Sequence, residues 1–409
     1  MKILYFHQHF TTPEGSTGTR SFSNSMQLIK NGHKVTLVCG SFVGANTGLR
    51  GSFQRGQRRG DVDGIDVIEL DLSYGNKDGF IKRTYIMFRY FLKAIKYVFT
   101  EDYDLVFATS TPLTASIPGI VAKIFKRKPF VFEVRDLWPE LPREMGVIKN
   151  PIVLYLMSVL EYLSYTSSDH LIALSPGILE GIHKRGVSRK DITMIPNGCD
   201  MEIFKKNPSL SWRPESCKKE DFLAIFSGTH GVANNVESII NAAKVLQSRK
   251  NTNVKIILIG QGGKKADLIK IVKKENLKNI IFLDPVSKLK LAGLMGSADI
   301  GLQVLANVPA FYYGTSPNKF FDYIAAGLPV INNYPGWLAN LITENLCGYA
   351  IPPEDPEKFA DTLEHAATNK ELLAEMGSNA EELAKAKFDR QNLAKIWTET
   401  LEGVQKKYD

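Results

Sequence analysis

Short runs of β-branched and aromatic residues alternate with longer amphipathic stretches along almost the whole chain, and this happens twice. KILYF, KVTLVC, DVIEL, DLVFAT, PFVFEV, HLIAL and ITMIP come first, each followed by a turn signal and a helical pattern. Strands separated by helix-length stretches must cross over to become neighbours, so a parallel, doubly wound α/β sheet is predicted. The alternation stops over 206 to 221, KNPSLSWRPESCKKED, where two prolines and polar residues replace periodicity. It resumes with FLAIFS, VKIILIG, NIIFL, DIGLQVL, PVINN and GYAIP, so a second Rossmann-like sheet is expected. Beyond residue 355 the pattern is helical, in segments near 356 to 368, 371 to 387 and 389 to 406.

The reading that follows is a first domain over 1 to 205, a linker over 206 to 221 and a second domain over 222 to 388. A chain of 409 residues with 44 % hydrophobic and 23 % charged content has globular composition and exceeds one ordinary core. No run of about 18 apolar residues interrupts it, and MKILYFHQHF reads as a lysine leading into a buried strand, so a cytoplasmic chain is expected. Cys39, Cys199, Cys217 and Cys347 are scattered, with no CxxC pair and no histidines at ligand spacing. They read as free thiols, and no metal site is predicted. The net charge of residues 1 to 206 is +7 and that of the remainder +1, a surplus suited to a phosphorylated, lipidic or nucleic-acid partner.

Three segments carry candidate chemistry. HQHFTTPEGSTGTR follows the first strand, and its Gly15, Thr17, Gly18, Thr19 and Arg20 precede a helix; an arginine at a helix start suits a phosphate or sugar. SGTHGVANN, 227 to 235, follows the first strand of the second half. Its Gly228, Thr229, His230, Gly231 and Asn234 are read as a diphosphate site, where small residues admit the ligand and a helix start supplies amides. The spacing is not G-x-G-x-x-G, and neither is GQGG at 260 to 263, so a nicotinamide cofactor loses its support. In GTSPNKFFDYIAAGLPVINNYPG, 314 to 336, Ser316, Pro317 and Asn318 open a helix whose first turn holds Lys319 and whose second holds Asp322. A lysine is unfavourable at a helix N-terminus, which points to an anion beside it, and Asp322 suits a ribose diol.

DYIAAGLPVI resembles the EAMACGxPVI segment of family 4 glycosyltransferases, whose acidic residue binds the nucleotide ribose. DHLIALSPGILEGIHKRGVSRKDITMIPNGCDMEIF, 169 to 204, is similar to the family stretch ending in IPNGVDxxxF and brings in Asn197. The resemblance implies a GT-B fold, two Rossmann-like domains facing across a cleft. It places the donor mainly in the second domain and the acceptor in the first, requires no metal, and returns a closing helix, 389 to 409, to the first domain. Three positions depart from the family. Gly314 stands where members carry an acid eight residues before Asp322, GTHG replaces an Arg and Lys pair, and Arg135-Asp136 of FEVRDLWPE replaces His-Asp. GTHG, FEVRDLWPE and TSPNKFFDY together resemble a narrower O-antigen and capsule branch that includes N-acetyl-L-fucosamine transferases, which implies a UDP-activated amino or deoxy sugar.

Breaking the anomeric bond loads charge on the departing diphosphate, so Lys319 and the GTHG amides are assigned its stabilisation without a cation cofactor. Arg135 and Asp136 complete the catalytic set. In retaining relatives the leaving phosphate takes the acceptor proton; in an inverting enzyme Asp136 or Glu140 would orient or take it. Lys319→Ala and Asp322→Ala are expected to abolish nucleotide binding without unfolding the chain. Residues 79 to 99, GFIKRTYIMFRYFLKAIKYVF, hold five basic residues and no acid. Lys82, Arg89, Lys93 and Lys96 fall on one helical side, with Phe80, Tyr85, Phe88, Phe91, Leu92, Ile95 and Phe99 on much of the rest. With the basic loop GLRGSFQRGQRRGD upstream, this suits an anionic membrane surface and a lipid-linked, polyprenyl diphosphate acceptor on the inner face of the membrane. A UDP-sugar epimerase of the same architecture is the alternative. A nucleic-acid partner lacks any recognised module.

Overall fold

The computed structural model describes residues 1 to 409 except 16, 17, 76, 77, 206, 208, 252 and 409, and the side chain of Phe80 is also outside the description. Thr17 therefore lies outside the described residues. The chain forms two compact units. The first is Met1–Asn197 with Gly314–Ser316 and Arg390–Asp409, and the second is Gly198–Tyr313 with Pro317–Asp389.

In the first unit, β1 (Lys2–Phe6), β2 (Lys34–Phe42), β3 (Gln57–Val62), β4 (Ile65–Tyr74), β5 (Leu105–Thr109), β6 (Phe130–Val134), β7 (His170–Ala173) and β8 (Ile192–Met194) form one sheet. Its order is β3-β4-β2-β1-β5-β6-β7-β8, parallel except for the β3–β4 pair. The near-continuous apolar strands are buried on both faces, as a doubly wound sheet demands. The helices Phe80–Thr100, Ile117–Val121, Pro151–Ser167 and Pro176–Lys184 share a core with one face. On the other, the C-terminal helix Arg390–Gln405 buries Trp397 against Tyr5 and Phe107, with ring centroids 5.9 and 4.7 Å apart.

The second unit orders β9 (Phe222–Ser227), β10 (Val254–Ile259), β11 (Ile280–Leu283), β12 (Ile300–Gln303), β13 (Val330–Asn332) and β14 (Gly348–Ala350) as β11-β10-β9-β12-β13-β14, all parallel. Both sheets have a topological switch point, β1/β5 in one and β9/β12 in the other, where the chain order reverses and flanking loops diverge.

Two expectations need correction. The units divide after Asn197, not after 205, and the segment read as a linker is packed on the second unit. Trp212 donates its indole N–H to the Lys290 carbonyl at 2.8 Å, and Gly293 lacks the Cβ that would sit 2.2 Å from the Leu210 carbonyl oxygen. The basic loop upstream of residue 79 contains the edge strand β3. Arg58 pairs with Glu69, and Arg59 pairs with Asp66 and Glu101, so these charges are neutralised within the fold. Alternation missed β3 because QRRGDV is polar up to its last residue, Val62, and is held by ion pairs and hairpin bonding.

Candidate functional site

In the second unit the loop after β9 lies at the switch point, and a neighbouring loop holds it rigid. His230 N–H donates to the Gln261 carbonyl at 2.9 Å, and Lys264 N–H donates to the His230 carbonyl at 2.9 Å. A Cβ at Gly260 would meet the Gly228 oxygen at 1.9 Å, and one at Gly262 the His230 oxygen at 2.3 Å. The GQGG turn is thus a docking surface for GTHG, which its sequence did not disclose. Gly228 and His230 amides bond Ile259 and Gln261, and those of Asn234 and Asn235 bond Gly231 and Val232. The amides of Thr229, Gly231, Val232 and Ala233 have no acceptor among the described residues. The following helix starts only at Glu237, with an acid in its first turn, so the amides without acceptors belong to the loop and its 3₁₀ turn Val232–Asn234, not to that helix.

Lys319 reaches this loop from the helix Asn318–Ala325, which Pro317 precedes. Tyr323, on the next turn, fixes the helix to β9 by accepting the Ser227 N–H at 2.9 Å, and Gly301 leaves room for its ring. The Lys319 ammonium lies 4.6 Å from the Phe226 ring centroid, donates to the Asn234 side chain, and comes within 3.7 Å of where a Gly228 Cβ would stand. No carboxylate pairs with it among the described residues. Burial lowers its pKa to about 7. A desolvated cation beside orphaned amides in the first turn of a helix is costly unless an anion completes it.

The other donor-side candidates fall into different places. His230 is fully buried, its ring 5.9 Å from Phe226 and 6.0 Å from Phe282, and neither ring nitrogen has a partner. Burial first, then Lys265 and Lys319, lowers its pKa to about 4, so it is a neutral imidazole beneath the loop. Thr229 is exposed. Asn318 keeps a buried side-chain oxygen without a partner. Asp322 is buried, and Lys288 contacts both its oxygens at 3.0 and 3.1 Å. The expectation that Asp322→Ala leaves folding intact is therefore corrected: removing it strands a buried lysine. Lys288, from the helix that Ser287 caps, carried no motif in the sequence. Ser316 belongs to the first unit, where its hydroxyl accepts the Asn197 N–H at 2.9 Å and its carbonyl accepts the Asn197 amide at 2.6 Å. A Cβ at Gly314 would meet nothing within 4 Å.

In the first unit a polar cluster gathers at the β1/β5 switch point. His9 faces the Thr111 carbonyl through Nδ1 at 3.1 Å and the Tyr74 hydroxyl through Nε2. Burial, reinforced by Arg135, lowers its pKa to about 4, so the neutral ring donates from Nδ1 and accepts from Tyr74. Thr111 in turn donates to Asp136 at 2.8 Å, and burial raises the Asp136 pKa against the opposing Thr111 bond and Arg135 charge. His7 accepts from Ser21 at 2.9 Å, and Ser21 accepts from Tyr5 at 2.8 Å. Neither histidine was singled out in the sequence, although HQH directly after β1 is the available signal.

Arg20 is a correction. Its guanidinium donates to Glu133 at 2.9 Å, to the Pro196 carbonyl at 2.7 Å and to the Ile195 carbonyl at 2.9 Å, all buried. It ties the helix Arg20–Lys30 to β6 and the chain after β8, and its donors are not turned to a ligand. Thr19 is buried at the start of that helix, and Gly18 precedes it half-buried. Glu140 is engaged by Arg185 at 3.2 Å, which also holds Glu161, so it is tied into an ion-pair network.

The helix Phe80–Thr100 buries Tyr90, Ala94 and Val98 and exposes Ile81, Tyr85, Phe88, Leu92 and Phe99. Lys82 pairs with Asp78 at 2.8 Å, and Arg89 lies over Tyr85. Phe91 and Ile95 are half-buried. Among the described residues no helix is long and apolar enough to cross a membrane.

Two units with parallel sheets and sites at their switch points define the GT-B class. Residues 22–203 match the family described as Glycosyltransferase Family 4, and residues 211–383 match Glycosyl transferases group 1. The chain thus carries the two domains of these glycosyltransferase families, one in each half, on a GT-B fold. It is 22 % identical over 272 residues to the putative colanic acid biosynthesis glycosyl transferase WcaI of Escherichia coli, 63 % of each chain being covered. It spans about three fifths of the length of the first curated relatives it matches. Sucrose-phosphate synthase from Thermosynechococcus elongatus superposes with TM-score 0.78 at 15 % identity, covering 98 % of both chains. Anabaena HepE in complex with UDP-glucose superposes with TM-score 0.68 at 18 % identity, covering 98 % of this chain and all of that one.

Proposed function

We propose that the protein transfers a sugar from a UDP-sugar to a lipid-linked saccharide acceptor in bacterial surface polysaccharide synthesis, working from the cytoplasmic face of the cell membrane without a metal. The observation that carries the donor half is Lys319: a partly buried ammonium that, among the described residues, has no carboxylate beside it and is set against loop amides without acceptors. A nucleotide diphosphate supplies the missing charge, and the complexes of HepE with UDP and UDP-glucose support uracil as the base. The name of WcaI supports a polysaccharide product. An N-acetylated amino or deoxy sugar is assigned from the GTHG, FEVRDLWPE and TSPNKFFDY segments, where Gly314 leaves open space in place of an acidic side chain.

In the reaction the bond from C1 to the β-phosphate oxygen breaks, and C1 bonds the acceptor oxygen. The acceptor proton leaves to the departing phosphate in a retaining course, or to Asp136 in an inverting one. Lys319 and the amides of Thr229, Gly231, Val232 and Ala233 stabilise the negative charge that develops on the β-phosphate of departing UDP, an effect worth about 3 kcal/mol per donor group. Asp136, oriented by Thr111 and neighboured by Arg135, is assigned to the acceptor hydroxyl. The exposed aromatic and basic helix Phe80–Thr100 is assigned to the anionic membrane surface that carries the acceptor.

Calorimetric titration with UDP, GDP and ADP, with and without chelator, tests this. Selective UDP binding that survives the chelator is expected; failure of all three nucleotides would overturn the donor assignment. Turnover of a UDP-sugar alone, with no acceptor, would identify epimerisation instead.

A further inference from the structure

The helix Pro151–Ser167 is amphipathic the wrong way round. Its buried residues are Glu161, Ser164 and Tyr165, while Ile152, Tyr155, Leu156 and Tyr162 are 68, 68, 61 and 62 % exposed. Spaced at three and four residues, they form one continuous stripe with Val159 and Leu163. Folding this unit does not require the stripe, because the helix is anchored through its other side: Glu161 to Arg185 at 2.6 Å and Ser164 to Ser116 at 2.7 Å. An apolar face of this length left in water marks something that covers it.

Its neighbours indicate what. Ser116 leads into the segment Ile117–Val121, which runs into the turn Ala122–Lys126, where Ile124 and Phe125 are 61 and 69 % exposed. The Phe125 ring lies 6.4 Å from Phe99 of the helix Phe80–Thr100, and Lys126 covers Phe99 at 5.4 Å. All three segments cover the same face of the sheet. Lys126, Arg127 and Lys128 follow the two apolar residues, while Lys123 before them pairs with Asp169 at 2.6 Å, and no acidic residue occurs from 117 to 132 or from 145 to 160. A second copy of the chain would bring this basic rim against itself, which like charges disfavour. Anionic headgroups over an acyl layer satisfy both the stripe and the rim.

We infer that the stripe of Pro151–Ser167 and the Ile124–Phe125 turn enter the interface of an anionic phospholipid bilayer, with Lys126, Arg127 and Lys128 on its phosphates. This deepens the membrane part of the proposed function but stands on residues outside the helix Phe80–Thr100. The test is co-sedimentation of the full chain with phosphatidylcholine–phosphatidylglycerol vesicles and with phosphatidylcholine vesicles alone, for the wild type and an Ile152→Ser/Leu156→Ser/Leu163→Ser variant. The wild type is expected to bind the mixed vesicles preferentially. The variant is expected to lose at least about tenfold in partition, with unchanged Tm and UDP affinity, and Lys126→Glu/Arg127→Glu to lose the preference for phosphatidylglycerol. Equal partition of the serine variant, or no binding by the wild type, would overturn the inference. So would a wild-type dimer that the serine variant converts to monomer, which would give the stripe to a second copy. UDP affinity in the same samples separates this outcome from failure of the donor assignment.

Discussion

The two units place a basic side chain near the loop that follows their first strand, and the two side chains have opposite surroundings. Arg20 meets one carboxylate and two carbonyls, and every contact is buried. Lys319 meets an amide oxygen and an aromatic face, with no carboxylate among the described residues. Both residues had the same credentials in the sequence: a glycine-containing loop, a helix start, a positive charge. Satisfaction separates them. A buried charge whose counter-charge is in place serves the fold, whereas a partly buried cation with no carboxylate among the described residues leaves room for an anionic ligand.

Arg20→Ala tests the first half of that contrast most severely. It leaves Glu133 buried without its cation, held only by the Thr109 hydroxyl, with an expected loss of about 3–5 kcal/mol of unfolding free energy in urea titration. A stable Arg20→Ala protein with weakened UDP binding would break the comparison. Lys319→Ala should behave in reverse: UDP affinity falls by about two orders of magnitude in calorimetry, while Tm does not fall, because a desolvated charge has been removed. Asp322→Ala sits between the two, losing about 3 kcal/mol of stability by stranding Lys288. A Lys288→Met/Asp322→Leu protein should recover much of that stability but none of the nucleotide affinity.

A smaller effect follows from the Lys319 pKa of about 7 in the free protein. A bound diphosphate favours the protonated ammonium and raises that pKa, so affinity for a UDP-sugar is full below about 7 and falls as pH rises above it. The expected loss is about tenfold between pH 6 and 8, with proton uptake on binding at the higher pH measurable by calorimetry in buffers of different ionisation enthalpy. Lys319→Ala should abolish this dependence. Smallest of all, Gly314→Ala should change stability by less than about 0.5 kcal/mol, since its Cβ meets nothing and its backbone is not left-handed. Gly314→Glu is the sharper version, expected to alter donor-sugar preference at constant Tm.

Much of the fold was legible because parallel strands buried on both faces must be apolar along their length, and thirteen of the strands announced themselves in this way. β3 did not, being an edge strand of polar residues paired by charge. The boundary after Asn197 was hidden for a related reason: 206 to 221 lacks periodicity, yet it packs on the second unit through Trp212 and the gap left by Gly293. At the donor site the loop 227 to 235 and the helix at Asn318 stood out by glycine and lysine placement. The neutral state of His230 and the partner of Asp322 did not, because Phe282 and Lys288 are distant in sequence.

The amino-acid order alone determined the element sequence, the two-fold repetition of the α/β pattern, the family resemblance and the unusual lysine, since each is written in local periodicity, composition or a contiguous motif. Which charges are satisfied was decided only by the tertiary structure. So were the close fit of GQGG under GTHG, the placing of His7, His9 and Asp136 around one switch point, and the outward turn of the apolar side of Pro151–Ser167. These depend on contacts between residues tens to hundreds of positions apart, and a hydrogen bond or a desolvated charge has no counterpart in the linear order of side chains.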